Sequence, residues 1–510
     1  MSHEPRYRKG DKIGGCYEVY KALAGGMGEV YLCLDTQELK PFALKTFQAR
    51  YLASPKAREY FEREAATWVA LEKHPNVVRC FFMVTVDHTP FLFLEWVAGA
   101  EGYGTDLRDW LCRRGPLEPR RALEFTLDVC RALVHAQRKV PGFVHCDIKP
   151  ENVLVAQGQL AKLTDFGLAK LVREAGMVPP NEAALAAGAR WQVSSAGGTP
   201  PYMAPEQWRG EPVDARTDIY AVGCLLYELL TGQWPFPART PGDMKRRHLE
   251  APPPPLGAVV RGLPGEGLDA LLVRCLAKHK ADRYASASEL LGALGRLYES
   301  WHGASPRGVP EAEDFTAADY SNRGSTYADL GRHAEALADY DAALRLDPNL
   351  AQARYNRGTT YKALGRHAEA LADYDAAIRL DPNYAQAYLN KGVLHTERDE
   401  WDDALHAFEI AARLGHATGA QYAAQVRHMR GLAPEPAAAS PTEQALEAFL
   451  EADTPDALRR ALSRHPVLTR PDFLAALEQF VAQQVPAPQR PAFRQRLKLL
   501  RRVIKERGTH

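Results

Sequence analysis

The chain has 510 residues, of which 46% are hydrophobic and 25% are charged, and its formal net charge is +1. A chain of this length has room for about three or four domains, and the composition is that of an ordinary globular protein. The near-neutral charge gives no overall attraction to nucleic acid or acidic surfaces, so no specific nucleic-acid partner is expected. No apolar run reaches the roughly 18 residues that a transmembrane helix needs, and the amino terminus lacks a signal-peptide core.

The cysteines point to a reducing compartment. All eight lie between Cys16 and Cys275, and none forms a Cys-x-x-Cys pair. This distribution fits reduced cytosolic thiols better than a disulfide framework or a zinc site. We therefore expect a cytoplasmic protein without a transmembrane segment.

The first 300 residues change from strand-like to helical patterns. Near the amino terminus, β-rich runs are interrupted by one helical run, Arg58–Leu71. A long helix-rich stretch follows, from Asp106 to about Trp301. The β-rich runs are Glu29–Leu34, Phe42–Phe47, Phe81–Val86 and Phe91–Val97. This order predicts an α+β, bilobal architecture: a small sheet lobe followed by a larger helical lobe.

A glycine-rich segment, Leu23 to Val30, is the first candidate functional feature. Its glycines, which lack Cβ atoms, would let backbone amides close over phosphates, although an isolated glycine cluster is more often a turn. Downstream, Lys45 lies between apolar neighbours on a predicted strand, where it could also simply extend to solvent. Glu64 on the following helix is its expected ion-pair partner, with Glu62 as the rival.

The strongest signal is the stretch His-Cys-Asp-Ile-Lys-Pro-Glu-Asn at residues 145–152, followed by Asp-Phe-Gly at 165–167. Asp147 can accept a proton from an attacking hydroxyl, and Lys149 can neutralise charge on a moving phosphoryl group. Asn152 and Asp165 can hold magnesium. These residues supply both halves of a phosphoryl-transfer site.

Together these motifs resemble the catalytic core of eukaryotic-like (Hanks-type) Ser/Thr protein kinases of bacteria, over residues 10–299. The resemblance implies the protein-kinase fold, ATP and Mg2+ as cofactors, and Asn152 and Asp165 as metal ligands. It also implies that Thr199 bonds Asp147 and Lys149, alongside the Lys45–Glu64 pair. The nucleotide would be bound by Leu23, Gly25, Gly26, Gly28, Val30, Ala43, Lys45, Leu94, Glu95 and Val97.

Two positions depart from the family pattern. Leu23 replaces the first glycine of the loop, and Cys146 replaces the arginine that usually receives an activation-loop phosphate. We therefore expect activity without loop phosphorylation. Residues 172–193 look like an insertion in the activation segment. Asp218 and an Arg283–Glu206 pair match structural positions of the family.

A repeat of 34 residues follows a Gly- and Pro-containing linker at 300–314. Residues 330–349 and 364–383 are nearly identical, and Gly324, Gly358 and Gly392 mark the same position in three units. Over 315–418 the pattern resembles tetratricopeptide repeats, an all-α solenoid, with a degenerate third unit. We expect this region to recruit protein substrates or partner proteins and to leave the chemistry alone.

An Ala- and Pro-rich linker, 432–443, precedes a small helical C-terminal region, 444–510, whose role the sequence does not reveal. The sequence predicts an active Ser/Thr protein kinase with recruitment through its repeats. The alternative is a pseudokinase or repeat scaffold that acts by protein binding, which only Leu23 and Cys146 favour.

Overall fold

A computed structural model of the chain describes residues 5–25, 28–48, 55–99, 102–166, 199–258, 260, 267–308, 310, 314–432, 449, 462, 497–502 and 504. Gly26, Gly167, the proposed insertion at 172–193 and most of 433–510 lie outside the described residues. The contacts divide the chain into two compact units, Met1–Pro382 and Asn383–His510.

The first unit begins with a six-stranded antiparallel sheet in the order β1-β2-β3-β4-β6-β5. Alternate residues of β3 (Glu29, Tyr31 and Cys33) are buried, as expected for a strand with one face on a core. The strands are β1 Lys12–Ile13, β2 Tyr17–Gly25, β3 Gly28–Asp35, β4 Pro41–Phe47, β5 Cys80–Val86 and β6 Thr89–Glu95.

Helix α1 (Pro55–Ala70) is part of the same lobe. Its residues Phe61, Ala65 and Trp68 recur at helical spacing and are buried in the main core. The same helical face carries Glu64, which is 1% exposed. The spacing of apolar residues on α1 thus brings a carboxylate into the interior of the lobe.

Within its described residues, the second lobe is helical and contains one small hairpin, β7 (Val153–Val155) with β8 (Ala161–Leu163). Helix α5 is buried along most of its length and packs against α3. The helices are α2 Leu107–Arg114, α3 Pro119–Lys139, α4 Pro205–Arg209, α5 Ala215–Thr231, α6 Pro241–Glu250, α7 Leu268–Cys275 and α8 Ala287–His302. Short 3-10 turns cover Pro150–Asn152, Pro200–Tyr202, Leu256–Ala258 and Lys280–Asp282.

The predicted bilobal α+β architecture is confirmed, and its main omission is β2. Strand β2 pairs with β3 from Tyr17↔Asp35 to Gly25↔Gly28, so the glycine-rich segment forms a hairpin. The sequence of β2 mixes Glu18 and Lys21 with alanines, and its outer face is exposed. A strand of this composition lacks the apolar alternation on which a sequence-based prediction relies.

Helix pairs follow the kinase-like part, as predicted. In the first unit they are α9 Ala317–Asp329 with α10 His333–Leu346 and α11 Ala351–Ala363 with α12 His367–Leu380. A Cβ on Gly324 would lie 2.8 Å from the ring of Tyr340, and one on Gly358 would lie 2.9 Å from Tyr374. The repeated glycine therefore gives each aromatic ring the space to pack between two helices.

Between residues 383 and 432, the second unit contains the third helix pair and one further helix. These are α13 Ala385–Thr396, α14 Trp401–Arg413 and α15 Ala417–Met429. Phe408 fills the space beside Gly392 and contacts Tyr422 of α15, with 5.3 Å between ring centroids. His395, at the position of a tyrosine in the other units, bonds Glu400 at 2.6 Å.

Within the residues that the structure describes, no helix is both long and apolar enough to cross a membrane. All eight cysteines carry free thiols.

Candidate active site

A buried lysine joins the two lobes of the first unit. Lys45 on β4 is 3% exposed, and its Nζ lies 3.0 Å from Glu64 Oε1 and 3.0 Å from Asp165 Oδ1. The structure thus brings together three predicted residues from a strand, a helix and a loop. The carboxylate on α1 that pairs with Lys45 is thus Glu64, and Glu62, the rival partner, is partly exposed.

The charges of this cluster depend on one another. Burial opposes the charge of Lys45, but Asp165 and Glu64 outweigh it and raise the lysine pKa above its usual value. Burial also opposes the charge of Asp165, whose pKa Lys45 nevertheless holds below its usual value. Asp165 is therefore a carboxylate at neutral pH, ready to bind a cation.

Four predicted residues form a hydrogen-bonded network in the second lobe. Lys149 Nζ lies 2.7 Å from Asp147 Oδ2 and 2.9 Å from Thr199 Oγ1, and the Thr199 hydroxyl donates to Asp147 Oδ1 at 2.8 Å. Asn152 Nδ2 donates to the Asp147 carbonyl at 2.8 Å and to Oδ2 at 3.0 Å. Burial opposes the charge of Lys149, but Asp147 outweighs it and raises the pKa. The network fixes the orientation of the Asp147 carboxylate.

The backbone beneath this network adopts an uncommon conformation. Cys146 and Asp165 have φ values of 66° and 64°, a region that non-glycine residues rarely occupy. Buried Asp218 accepts hydrogen bonds from the backbone N–H groups of His145 and Cys146 at 2.8 and 2.9 Å. His145 Nε2 lies 2.9 Å from the Thr164 carbonyl oxygen. These bonds compensate the backbone strain and fix the loop at 145–147 relative to the segment that leads into Asp165.

The predicted nucleotide-binding residues line adjacent strands. Val30 pairs with Lys45 across β3 and β4, and Ala43 pairs with Leu94 across β4 and β6. Ala43, Leu94 and Val97 are buried, whereas Leu23 is 44% exposed. Glu95 donates its backbone N–H to the Arg79 carbonyl oxygen at 2.9 Å, and its strand partner in β4 is Phe42. Leu23, Gly25 and Gly28 lie at the β2–β3 end of the same sheet, and Gly26 lies outside the described residues.

Asn152 and Asp165 fit the binding of a hard divalent cation. Asp165 uses one carboxylate oxygen for Lys45, and Asn152 uses its amide nitrogen for Asp147. The second carboxylate oxygen and the amide oxygen have no protein partner within the described part of the chain. Carboxylate and amide oxygens are ligands that magnesium and calcium both accept.

Cys146 lies in apolar surroundings. It is 7% exposed and clusters with Val144 and the partly buried Val213. An arginine at this position would present a guanidinium for a phosphate. The side chain of Cys146 presents no positive charge, so the site has no phosphate receptor at this position.

The sequence interpretation missed Trp68. Its Nε1 donates to the Val78 carbonyl at 2.8 Å, its ring lies 5.2 Å from Lys45 Nζ, and it packs 5.6 Å from Phe166. Trp68 follows Glu64 by one helical turn, and this spacing was the available signal. The Trp68 ring therefore packs against the Lys45 side chain on the side of α1.

Comparison with protein-family models matches the protein kinase domain at residues 17–292. A TPR repeat model matches residues 324–365, and a tetratricopeptide repeat model matches 351–384. The kinase match covers more than half of the chain.

Several bacterial proteins are similar to the kinase part. The serine/threonine-protein kinase PknB of Mycobacterium tuberculosis is 33% identical over 302 residues, which are 58% of this chain and 45% of the relative. The probable serine/threonine-protein kinase PknB of Corynebacterium glutamicum is 33% identical over 310 residues, 59% of this chain and 45% of the relative. The chain therefore spans less than half of the length of these relatives.

A crystal structure of the Mycobacterium tuberculosis PknI kinase domain aligns at a TM-score of 0.42 and 27% identity, covering 57% of this chain and 99% of that one. The matched kinase model, with the site geometry in the same residues, identifies the family. The chain belongs to the protein kinase family and carries tetratricopeptide repeats after its kinase domain.

Proposed function

We propose that this chain is a Ser/Thr protein kinase that transfers the γ-phosphate of ATP, with Mg2+, to protein hydroxyl groups. The observation that carries the proposal is the assembled pair of clusters, Lys45 with Glu64 and Asp165, and Asp147 with Lys149 and Thr199. A protein that had lost transfer activity would be expected to lack at least one of these groups.

The proposed step is an in-line displacement. The substrate hydroxyl gives its proton to the Asp147 carboxylate while its oxygen forms a bond to the γ-phosphorus. The bond from that phosphorus to the β–γ bridging oxygen breaks, and ADP leaves. Lys149, 2.7 Å from Asp147, is placed to neutralise charge on the transferred group.

Lys45 would bind the α- and β-phosphates in the orientation that Glu64 gives it. Asp165 and Asn152 would hold Mg2+, which neutralises phosphate charge when bound. We take Leu23, Gly25, Gly26, Gly28, Val30, Ala43, Leu94, Glu95 and Val97 as the nucleotide-binding residues.

Specificity for serine and threonine is inferred from Lys149 and Thr199. A lysine two residues after the aspartate resembles the Ser/Thr form of the kinase family, and here both Lys149 and Thr199 bond Asp147. The names of the mycobacterial and corynebacterial relatives agree with this specificity.

We propose a kinase domain at 10–299, a linker at 300–314, repeats at 315–418, a second linker at 432–443 and a helical region at 444–510. The cytoplasm is the proposed location, since all eight thiols are free. Tetratricopeptide repeats mediate protein interactions, and here they would recruit protein substrates or partners. Tyr355 and Asn356, partly exposed on α11, are candidates for that contact.

The test of the chemistry compares Asp147→Asn and Asp165→Ala with the wild-type chain. Each variant should lose about a hundredfold or more in phosphoryl transfer from Mg-ATP, the scale of a lost general base or metal ligand. Phosphoamino-acid analysis of the wild-type product should give phosphoserine and phosphothreonine. Near-normal transfer by both variants would refute the assignment, and a wild-type rate equal to that of Asp147→Asn would favour the pseudokinase scaffold.

Recruitment is tested separately with Tyr355→Ala combined with Asn356→Ala in the full chain. Crosslinking in the host should then lose wild-type partners while transfer to casein is unchanged. Recovery of the same partners by both chains would assign recruitment to another surface.

A further inference from the structure

The first repeat packs directly on the kinase sheet. Helix α9 lies against β5, which is the edge strand of the six-stranded sheet, and against α1. The hydroxyl of Thr326 accepts a hydrogen bond from the backbone N–H of Met83 at 2.9 Å, and both residues are buried. An edge strand leaves such N–H groups without a strand partner. Thr326 therefore completes the edge of the kinase sheet.

Ion pairs anchor the same helix to the turn between α1 and β5. Arg323 Nη1 lies 2.7 Å from Glu72 Oε1, and Lys73 Nζ lies 2.9 Å from Asp319 Oδ2. Arg79 also pairs with Asp319. The side chains of Arg323, Lys73 and Asp319 are only 12, 11 and 10% exposed, so water screens these pairs less than ordinary surface pairs.

The second repeat provides an internal comparison. Arg357 binds Asp373 at 2.7 Å as Arg323 binds Asp339 at 2.7 Å, so this ion pair belongs to the repeat fold. Asp319, however, is replaced by Ala353 in the second repeat. Leu330 packs against the kinase core, whereas its identical counterpart Leu364 is 43% exposed. Among the described residues, the contacts that Asp319 and Leu330 make with the kinase domain have no counterpart in the second repeat.

A continuous path joins this contact to the phosphate-binding lysine. Glu72 and Lys73 directly follow the last turn of α1, and Trp68 in that turn donates to the Val78 carbonyl. The Trp68 ring lies beneath Lys45, and Glu64 precedes Trp68 by one helical turn. A shift of the α1–β5 turn would therefore move the helix that orients Lys45.

We propose that the first repeat is a positioning element of the kinase site: Asp319, Arg323 and Thr326 hold the α1–β5 turn and the β5 edge so that Glu64 stays beside Lys45. This inference rests on the proposed kinase function. It revises the expectation that the repeats leave the chemistry alone. The repeats beyond the first remain available for recruitment.

The test uses the full chain and its duplicated repeat. The docking variant combines Arg323→Met with Thr326→Val. The matched control combines Arg357→Met with Thr360→Val, which removes the equivalent ion pair and hydroxyl in the second repeat. Transfer to casein gives kcat and KM for ATP, and calorimetry gives the Kd of Mg-ATP. Thr326→Ser alone, which keeps the hydroxyl, should behave as wild type.

We expect the docking variant to lose at least about fivefold in both kcat/KM and ATP affinity, the lower end of common coupling energies, with the control within about twofold of wild type. Equal behaviour of the docking variant and the control in both measurements would overturn the proposal. If the wild-type chain transfers no more phosphate than Asp147→Asn, the proposed kinase function fails. The Kd of Mg-ATP for the docking variant and the control then still decides whether the first repeat positions the site. If the docking variant loses its helical circular dichroism, Lys73→Gln combined with Glu72→Gln removes the Lys73–Asp319 and Glu72–Arg323 pairs from the kinase side and decides by the same criteria.

Discussion

Replacing Arg283 by methionine should strongly destabilise the helical lobe. Arg283 Nη1 and Nη2 donate to Glu206 Oε1 and Oε2 at 2.8 and 2.9 Å, and the two side chains are 0 and 1% exposed. The variant keeps the bulk of the side chain but leaves the Glu206 carboxylate with Thr217 as its remaining side-chain partner, at 2.8 Å. Leaving one charge of a buried pair without its counterion costs about 3–5 kcal/mol.

The expected change in melting temperature follows from the size of the domain. The melting temperature of a domain of this size changes by about 2–4 °C for each kcal/mol of unfolding free energy. Arg283→Met should therefore melt roughly 6–20 °C below wild type. Differential scanning calorimetry of the full chain measures this shift, and added ATP identifies the kinase transition. The control is Arg246→Met, since Arg246 pairs with Asp243 at the surface, where both are largely exposed. Such a pair contributes about 0–1 kcal/mol.

The pH dependence provides a second check. Burial raises the pKa of Glu206, but Arg283 outweighs it and holds that pKa below its usual value. The pair therefore stabilises the fold above the unfolded-state pKa of about 4.3, and this contribution is lost as the pH falls through the folded-state value. A melting temperature of Arg283→Met within the range of the Arg246→Met control at pH 7 would contradict the reasoning.

Three further outcomes are expected. Burial lowers the pKa of His248 to about 3, so the folded state loses about 1.4 kcal/mol of stability per pH unit as the pH falls from 6.5 toward that value. In urea unfolding measured over this pH range, His248→Gln should reduce the dependence of stability on pH. An unchanged dependence would mean that other groups cause it. Gly358→Ala should lose about 1 kcal/mol in urea unfolding, because its methyl group would lie 2.9 Å from a buried tyrosine ring and this strain exceeds the gain in helix propensity; a more stable variant would show that the ring yields. Ser194→Ala combined with Ser195→Ala, at residues outside those described, should remain active because Cys146 provides no receptor for a phosphate; loss of transfer to the level of Asp147→Asn would mean that another basic residue takes that role.

The candidate catalytic loop could be identified in the sequence because its residues are close together. Asp147, Lys149 and Asn152 lie within six residues, and their hydrogen bonds follow from one tight loop. The Lys45 cluster was harder, since Glu64 and Asp165 lie 19 and 120 residues away in sequence. Helical spacing favoured Glu64 over Glu62, whereas the contact between Asp165 and the lysine was not predicted, because Asp165 was expected only as a metal ligand. Long-range contacts of this kind are not encoded in any one window of sequence.

The role of Cys146 shows a different limit. The sequence shows that an arginine is replaced, and it leaves open whether the thiol faces the site as a reactive group. In the structure Cys146 packs with Val144 and Val213, and Gln207 donates to its backbone carbonyl at 3.3 Å. Whether a cysteine is buried in a core or faces solvent depends on a neighbour 67 residues away, Val213, which no local pattern specifies.

The docking of the first repeat was the least predictable feature, although the sequence contains a trace of it. Between the first two repeats, residues 330–349 and 364–383 differ only at Leu344 and Ile378. The helices before them, 317–329 and 351–363, differ at seven positions, which in the first copy are Ala318, Asp319, Tyr320, Ser321, Ser325, Ala328 and Asp329. Both copies must satisfy the same packing within a repeat, so that packing alone does not explain why only one helix of the pair diverged.

The structure supplies a physical reason for this pattern. The helix that diverged in the first copy is α9, which contacts β5 and α1, whereas the conserved helix α10 packs against α9 and α11. Asp319, absent from the second copy, pairs with two cations of the kinase domain. Arg323 and Thr326 are identical to Arg357 and Thr360 of the second copy, but their further partners, Glu72 and Met83, belong to the kinase domain. Arg357 instead takes Asp341 of the first repeat as its further partner. In a duplicated repeat, the helix that diverges while its partner stays constant therefore indicates a surface that has acquired a second neighbour.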